Sequence, residues 1–329
     1  MNPAADTGMA DESRAPAAPV WVVLVVYDSY GDTRDCLESL AVATWPDLTV
    51  AVVDNGSGDG SGERLRDEFP GAVHIRSEEN LGFAGGCNLG IRAALAAGAA
   101  YVCLLNNDTL VDPGFIEPLV ARAEAEPRAG IIGGKILYDG SDDVIWFAGG
   151  EVDPRRGFTS HRGQDQADDG SFDQPGPVDY VTGCLFFVRS ELFGRIGLLD
   201  ERFFMYAEEV DFCLRARRAG VTCYYEPASV IRHRVSRSMG GAYRPRFYYY
   251  QTRNLLEAYR LDAAAGRWSL TTLRLWRYLV LGQGLTLARA HRLRALPYLA
   301  ALWSGFFDYM RGRFGAAGAP AAERGGESR

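Results

Sequence analysis

Residues 20–26, Val-Trp-Val-Val-Leu-Val-Val, form an unbroken, mostly β-branched apolar run of strand length. Residues 33–43 follow with apolar positions at Cys36, Leu37 and Leu40, the spacing of one helix face. The alternation continues through a strand at 48–53, a helix at 61–69, a short strand at 73–76, an Ala-rich helix at 85–98 and a strand at 101–105. None of these strands shows the in-and-out polarity of a sheet with one wet face. They predict an α/β fold with a doubly wound, mostly parallel sheet covered by helices on both faces. Ligands of such sheets gather beyond the carboxyl ends of the strands, where Tyr27-Asp28, Asp54-Asn55 and Asn106 to Asp108 fall.

After residue 112 the pattern changes to mixed strands and loops. Strands are expected at 131–138, 144–148 and 180–188, and helices at 190–196 and 208–219. The stretch 153–178 is a polar, Gly- and Asp-rich excursion that reads as a mobile loop, residues 247–314 read as helical, and no internal repeat occurs. The Ala-, Pro- and Asp-rich leader 1–19 and the tail 316–329 read as disordered.

Charge sharpens this division. The 329-residue chain has a net charge of −7, yet residues 244–315 hold twelve arginines against three acids, which leaves the remainder at −16. An acidic body argues against nucleic acid as a partner; a basic, aromatic helical segment suits an anionic membrane surface or an acidic acceptor. Its longest uncharged stretch, 295–307, is too short to span a bilayer. Arg274, Arg277, Arg289, Arg292 and Arg294 beside Trp276, Leu279 and Trp303 fit an interfacial helix, and a homodimer interface equally. Six scattered cysteines without a CxxC pair, and no signal peptide, place the expectation in a reducing cytoplasm.

Four constellations carry candidate chemistry. In Tyr101-Val-Cys-Leu-Leu-Asn-Asn-Asp-Thr109 an apolar strand stops at polar residues. Extended geometry sends Asn106 and Asp108 to one side, oxygen ligands suited to Mg²⁺ or Mn²⁺, although the same residues also suit a plain turn. Residues 54–61, Asp-Asn-Gly-Ser-Gly-Asp-Gly-Ser, combine hydrogen-bonding groups for a base or ribose with glycines that permit close approach; an exposed turn explains them too. Residues 80–90, Asn-Leu-Gly-Phe-Ala-Gly-Gly-Cys-Asn-Leu-Gly, run into a helix either to line a pocket or to let the helix pack on the sheet. Glu208, Glu209 and Asp211 crowd an aromatic-to-helix junction, favourable to the helix dipole or to a raised general base. His233 ends a strand, with Arg232, Arg234 and Arg237 beside it expected to keep it neutral and to attract phosphate.

These phrases in this order resemble the inverting nucleotide-sugar glycosyltransferases of family 2, in particular their rhamnosyltransferase-like branch that builds bacterial surface polysaccharides. The resemblance spans residues 22–238 and rests on 52–61, 80–90, 104–109 and 199–213. It implies a GT-A fold, with a nucleotide-binding half at 20–112 and an acceptor half at 113–243, together the domain 20–243, followed by the helical segment 244–315. By that resemblance Tyr27, Asp28, Asp54, Asn55, Asn80, Gly82, Phe83, Gly85, Asn88, Asn107, Thr182 and Gly183 line the nucleotide and donor pocket. Asn106 and Asp108 stand at the two ends of the family's DxD element and His233 matches a histidine that completes the metal site in some members, so the implied cofactor is Mg²⁺ or Mn²⁺.

Glu209 matches the second acid of the family's Glu-Asp pair, the base that deprotonates the acceptor. Three positions depart from the pattern. Asn106 replaces the first Asp, Asp28 stands where Asn is frequent, and Glu209 is longer than the usual Asp by roughly 1.5 Å, a displacement that matters for rate. Glu208 and Asp211 therefore stay alternatives as base. The implied reaction is metal-dependent inverting transfer from a UDP- or dTDP-sugar, dTDP-rhamnose among them, to a saccharide or lipid-linked acceptor at the inner face of the membrane. The alternatives are a non-catalytic nucleotide-sugar binding or scaffold protein and a sugar nucleotidyltransferase; the latter usually carries a Gly-rich, Lys- and Arg-bearing loop after its first strand, where this chain has Tyr-Asp-Ser-Tyr-Gly-Asp.

Overall fold

The structure is a computed structural model that describes residues 17–141, 143–153, 157–235 and 244–317. Most of the leader 1–19 and of the tail 316–329, together with Arg237, lies outside the described residues.

The first half alternates as its hydrophobic pattern requires: β1 (Val20–Val26), α1 (Tyr30–Leu40), β2 (Leu48–Asn55), α2 (Ser61–Glu68), β3 (Val73–Ser77), α3 (Gly82–Ala96) and β4 (Tyr101–Leu105). Strands β4, β1, β2 and β3 are neighbours and all parallel. Period-two alternation splits their side chains between two cores. Val23, Ala51, Val53, Val102 and Leu104 meet α3, while Val22, Leu24, Val52, Cys103 and Leu105 meet α1. Helix α3 starts three residues before the expected 85, and the Asn80 side chain, just ahead of it, accepts the amide of its first residue, Gly82.

The second half holds β5 (Thr109–Val111), α4 (Ile116–Ala125), β6 (Ala129–Tyr138), β7 (Ile145–Phe147), β8 (Gly150–Asp153), β9 (Phe158–His161), β10 (Gly176–Val178), β11 (Leu185–Arg189), α5 (Ser190–Ile196), α6 (Glu208–Arg218) and β12 (Thr222–His233); its strands extend the same sheet, except β8 and β9, which pair with each other in a two-stranded sheet of their own. The strand order is β10-β12-β6-β11-β4-β1-β2-β3; β11 runs antiparallel to β4 and β6, whereas β12 is parallel to β6.

The excursion 153–178, expected to be mobile, is tied down over its described residues. Lys135, the chain's single lysine, projects from β6 into Asp168 and Asp173, Tyr138 donates to Asp165, and the Ile145 amide donates to the Gln166 carbonyl. A buried ammonium is tolerable only when paired, so this segment must stay closed to keep Lys135 satisfied.

The carboxyl-terminal segment holds α7 (Pro245–Asp262), α8 (Leu270–Trp276), a π-helical turn at Arg277–Gly282, α9 (Gln283–His291) and α10 (Leu296–Met310). It is not a separate layer: Leu255, Leu256, Tyr259, Leu275 and Tyr309 share one core with Val23 and Phe212. No helix among the described residues is long and apolar enough to cross a membrane.

Candidate active site

Sheet register gathers the candidate residues at one end. Leu24 pairs with both Val52 and Leu105, so β1, β2 and β4 finish together and deliver Tyr27, Asp54 and Asn106 to a common crevice. Antiparallel β11 starts beside β4, where the Asn106 amide donates to the Cys184 carbonyl and brings Thr182 and Gly183 alongside. Strand β12 ends there as well, with His233 opposite Thr109.

Residues 106–108 form a turn between β4 and β5, not a continued strand, so alternation does not set their directions. Tertiary bonds do. Asn107 donates to Thr33 on α1, while Asn106 is held through its backbone by Cys184, Thr109 and the Cys36 thiol. The buried Asp108 carboxylate meets His233 Nε2 at 3.1 Å, and the Arg234 amide donates to the Asp108 carbonyl at 2.9 Å. The other imidazole nitrogen of His233, Nδ1, is buried with no hydrogen-bond partner.

Trp146 stands edge-on to His233 at 4.5 Å and to His161 at the same distance; burial pushes the His161 imidazole down to about 4. A carboxylate and an imidazole aimed at each other, one nitrogen orphaned, fit a divalent ion that keeps open positions for phosphate oxygens. Among the described residues no group of three or more His, Cys, Asp and Glu gathers, so Asp108 and His233 are a partial set.

The arginines near His233 are engaged otherwise than expected. Arg234 pairs with Asp35 and Asp139, and Arg232 with Asp112, so carboxylates already neutralise both charges.

Several residues assigned to the donor pocket make structural bonds instead. Asn88, almost fully buried, donates to the Leu199 carbonyl and Glu201 and accepts the Leu199 amide, so it braces α3 against the 199–201 turn. Asn55 donates to Gly82 and Asn80 and accepts the Leu81 amide, which fixes the start of α3. Gly82, at φ +75°, lies under the carbonyl and ring of Phe204, and Gly85 faces Leu81. A β-carbon at either site would collide, so these glycines serve packing. Asp54 accepts the Ser57 amide and pairs with Arg76 at 2.7 Å, while Asp28 accepts the Gly58 amide. Tyr27 remains half exposed at the crevice, and Phe83 approaches Gly183 across it.

At the far wall a short 3-10 turn, Glu201–Phe203, leads into α6. Between them Phe204, Tyr206 and Ala207 adopt positive φ of 65°, 65° and 69°. Glu208 and Glu209 occupy the first two positions of α6, Glu208 buried and Glu209 partly buried, each with one buried carboxylate oxygen that has no hydrogen-bond partner. Burial, then the charge of Glu209, pushes Glu208 well above the carboxylate range; burial raises Glu209 to about 7 against the pull of the Ala207, Glu209 and Val210 backbone groups. Asp211 differs. It pairs at 2.7 Å with Arg215, which also donates to the Ile196 and Leu198 carbonyls, so it joins α6 to the preceding loop and offers no lone carboxylate.

Sequence reasoning overlooked Arg253 and Asn254. Both are fully buried on α7 and donate to carbonyls of the 203–206 segment. Their signal was available: Arg253 stands one helical turn after Tyr249, and Asn254 one turn after Tyr250, directly before Leu255-Leu256, on the face that the helix buries.

Comparison with known proteins agrees with this geometry. Residues 21–197 match the model of glycosyl transferase family 2. An N-acetylglucosaminyl-diphospho-decaprenol L-rhamnosyltransferase of Mycobacterium tuberculosis is 29% identical over 240 residues, 67% of this chain and 77% of that protein. A galactofuranosyltransferase of the same organism is 30% identical over 207 residues, covering 61% and 66%. A mannosyltransferase from Pyrobaculum calidifontis, solved in complex with GDP-mannose and Mn²⁺, superposes with a TM-score of 0.57 at 15% identity, covering 90% of this chain and 88% of that one. At that identity the likeness establishes the fold, which is GT-A. With the family model spanning more than half of its length, the chain belongs to glycosyl transferase family 2 and is a glycosyltransferase that uses nucleotide-sugar donors.

Proposed function

We propose that this enzyme transfers one sugar, with inversion, from a UDP- or dTDP-sugar to a lipid-linked acceptor, with dTDP-rhamnose the first donor to test. The observation that carries the reading is Glu209, a partly buried residue at the start of a helix with one buried, unpartnered carboxylate oxygen and an ionisation raised to about 7. Such a group is poised to accept the acceptor's hydroxyl proton. As it does so, the acceptor oxygen attacks the anomeric carbon and the nucleoside diphosphate leaves from the opposite face. One displacement inverts the configuration.

Asp108, His233 and Asn106 would hold Mg²⁺ or Mn²⁺. When bound, the ion supplies positive charge against the leaving diphosphate. Tyr27, Thr182, Gly183 and Phe83 line the crevice that receives the donor, and the braces made by Asp54, Asn55 and Asn88 hold its walls in place.

The lipid-linked acceptor draws on the named chemistry of the decaprenol-linked relative and on the surface of the carboxyl-terminal helices. Trp268, Leu270, Leu273, Leu281, Leu285, Leu296 and Phe307 are exposed there, and residues 263–307 contain no acid and six arginines. Arg267 pairs with Glu257; apolar anchors among the other five cations suit the anionic face of a bilayer.

A donor screen by nucleotide release, with Mn²⁺ or Mg²⁺ and a polyprenyl-diphosphate-sugar acceptor, tests the reaction. Donor binding without release of nucleotide with any acceptor refutes it in favour of a binding protein. Sedimentation with phosphatidylglycerol-containing against neutral vesicles tests the surface, and equal binding to both, or binding to neither, refutes it.

A further inference from the structure

The segment that presents the carboxylate pair has an unusual backbone. Phe204, Tyr206 and Ala207, none of them glycine, all lie in the left-handed region immediately before Glu208. Residues of this kind persist there only when their surroundings over-determine the conformation. From one side, the Ala84 amide at the start of α3 donates to the Phe204 carbonyl at 3.2 Å.

From the other side, a single amide nitrogen does most of the holding. Asn254 Nδ2 lies 2.9, 2.8 and 2.8 Å from the carbonyl oxygens of Phe203, Met205 and Tyr206. Its direction is fixed by Arg253, whose Nε donates to Asn254 Oδ1 at 2.9 Å, so the amide nitrogen must face the loop. Arg253 itself spans two segments, with Nη2 on the Phe203 carbonyl at 3.0 Å and Nη1 on the Gly315 carbonyl at 2.7 Å.

This guanidinium is fully buried and is met by carbonyls and by the rings of Tyr249, Tyr250 and Phe314, with no carboxylate of the described residues bonded to it. A fold that needed only stability would fill this space with apolar side chains.

We infer that Arg253 and Asn254 are positioning residues of the transferase: from α7 they hold residues 203–207 in the strained shape from which Glu209 is presented to the acceptor. The inference rests on the reading of Glu209 as base. It also makes the carboxyl-terminal helices part of the catalytic apparatus, since Gly305 of α10 packs directly on the Tyr249 backbone of α7, one turn before Arg253.

The groups around Glu209 are Glu208 and Cys213 of its own helix, Tyr180 from the approach to β11, and the backbone amides of the helix start. Loosening the loop exposes this cluster to water, and the ionisation of Glu209 falls toward the ordinary carboxylate range.

The test uses the full chain carrying Asn254→Ala, the near-isosteric Asn254→Asp, or Arg253→Lys. It measures kcat, KM and the pH profile of transfer, with calorimetric affinity for UDP and dTDP as the control. Both Asn254 variants are expected to lose kcat by about 100-fold, with nucleotide affinity within about threefold of wild type and the acid limb of kcat moved to lower pH. Unchanged kcat and limb in a folded Asn254 variant overturn the inference. So does nucleotide affinity that falls in step with kcat, the mark of general destabilisation. If neither Asn254 variant folds, Arg253→Lys decides: a folded protein with wild-type kcat and limb overturns the inference, while reduced kcat with a displaced limb supports it. Absence of transfer by the wild-type chain instead refutes the assigned reaction and is seen before any variant is compared.

Discussion

Replacing Glu209 by Gln separates chemistry from stability, because burial makes the two move in opposite directions. Burial raises the Glu209 ionisation from 4.5 to about 7. The folded chain therefore binds this proton more tightly than the unfolded chain. Stability is undiminished below pH 4.5, falls as pH rises between 4.5 and about 7, and above that carries a deficit of about 3 kcal/mol. Gln keeps the shape and cannot ionise, so the variant escapes the deficit. At pH 8 it should melt roughly 5 °C above wild type, and below pH 4.5 the two should melt together.

Turnover should move the other way, down by about 10²- to 10⁴-fold for loss of the base. Wild-type kcat should climb with pH through about 7 and stand at roughly a tenth of its plateau at pH 6. Differential scanning calorimetry across pH and a nucleotide-release assay read both quantities. A variant that melts below wild type at pH 8, or a wild-type kcat that is flat from pH 5 to 8, would refute the reasoning. Glu208→Gln is the control: burial and the charge of Glu209 keep Glu208 protonated, so its amide should retain kcat within about fivefold.

Asp108→Ala should reduce transfer by at least about 100-fold and His233→Ala should raise the Mn²⁺ needed for half-maximal rate about tenfold; full activity of Asp108→Ala in excess chelator would remove the metal assignment. Asp211→Ala strands the Arg215 guanidinium, so it should cost about 3 kcal/mol in denaturant titration while the folded fraction keeps its kcat. Gly82→Ala places a methyl against the Phe204 carbonyl at a positive φ, and should lower both melting temperature and kcat, unlike an alanine at the unobstructed Gly58.

The parallel half of the fold is legible in the chain because its inner strands β1, β2 and β4 are largely buried on both faces and carry mostly Val, Leu, Cys and Ala. No other element type accommodates Val20–Val26 as well. Which residues stand at strand ends follows directly, and so did the crevice. What each polar residue does there was not legible. Asn88 looks like a ligand group by type, yet its partners Leu199 and Glu201 lie more than a hundred residues away, and only the packed chain reveals that its amide is already committed. Alternation misjudged Asn106 to Asp108, since period-two reasoning holds only while the backbone stays extended and here it turns. The segment 153–178 misled through composition: Gly and Asp suit a mobile loop, but one buried cation 18 residues before it recruits those aspartates. Arg253 and Asn254 stood visibly on the buried face of a helix, but their partners are backbone carbonyls, which no side-chain pattern names, so their role was not legible.

Lys135 has a practical consequence. Apart from the chain's α-amine, it is the protein's sole primary amine, and it is sequestered beneath Asp168 and Asp173. Amine-directed reagents therefore find almost nothing to modify on the closed molecule, and whatever acylation does occur at this position counts the moments when the 168–173 strap lifts away. The fold thus carries its own clock for breathing in the second half of the chain, readable by mass spectrometry without any added label site.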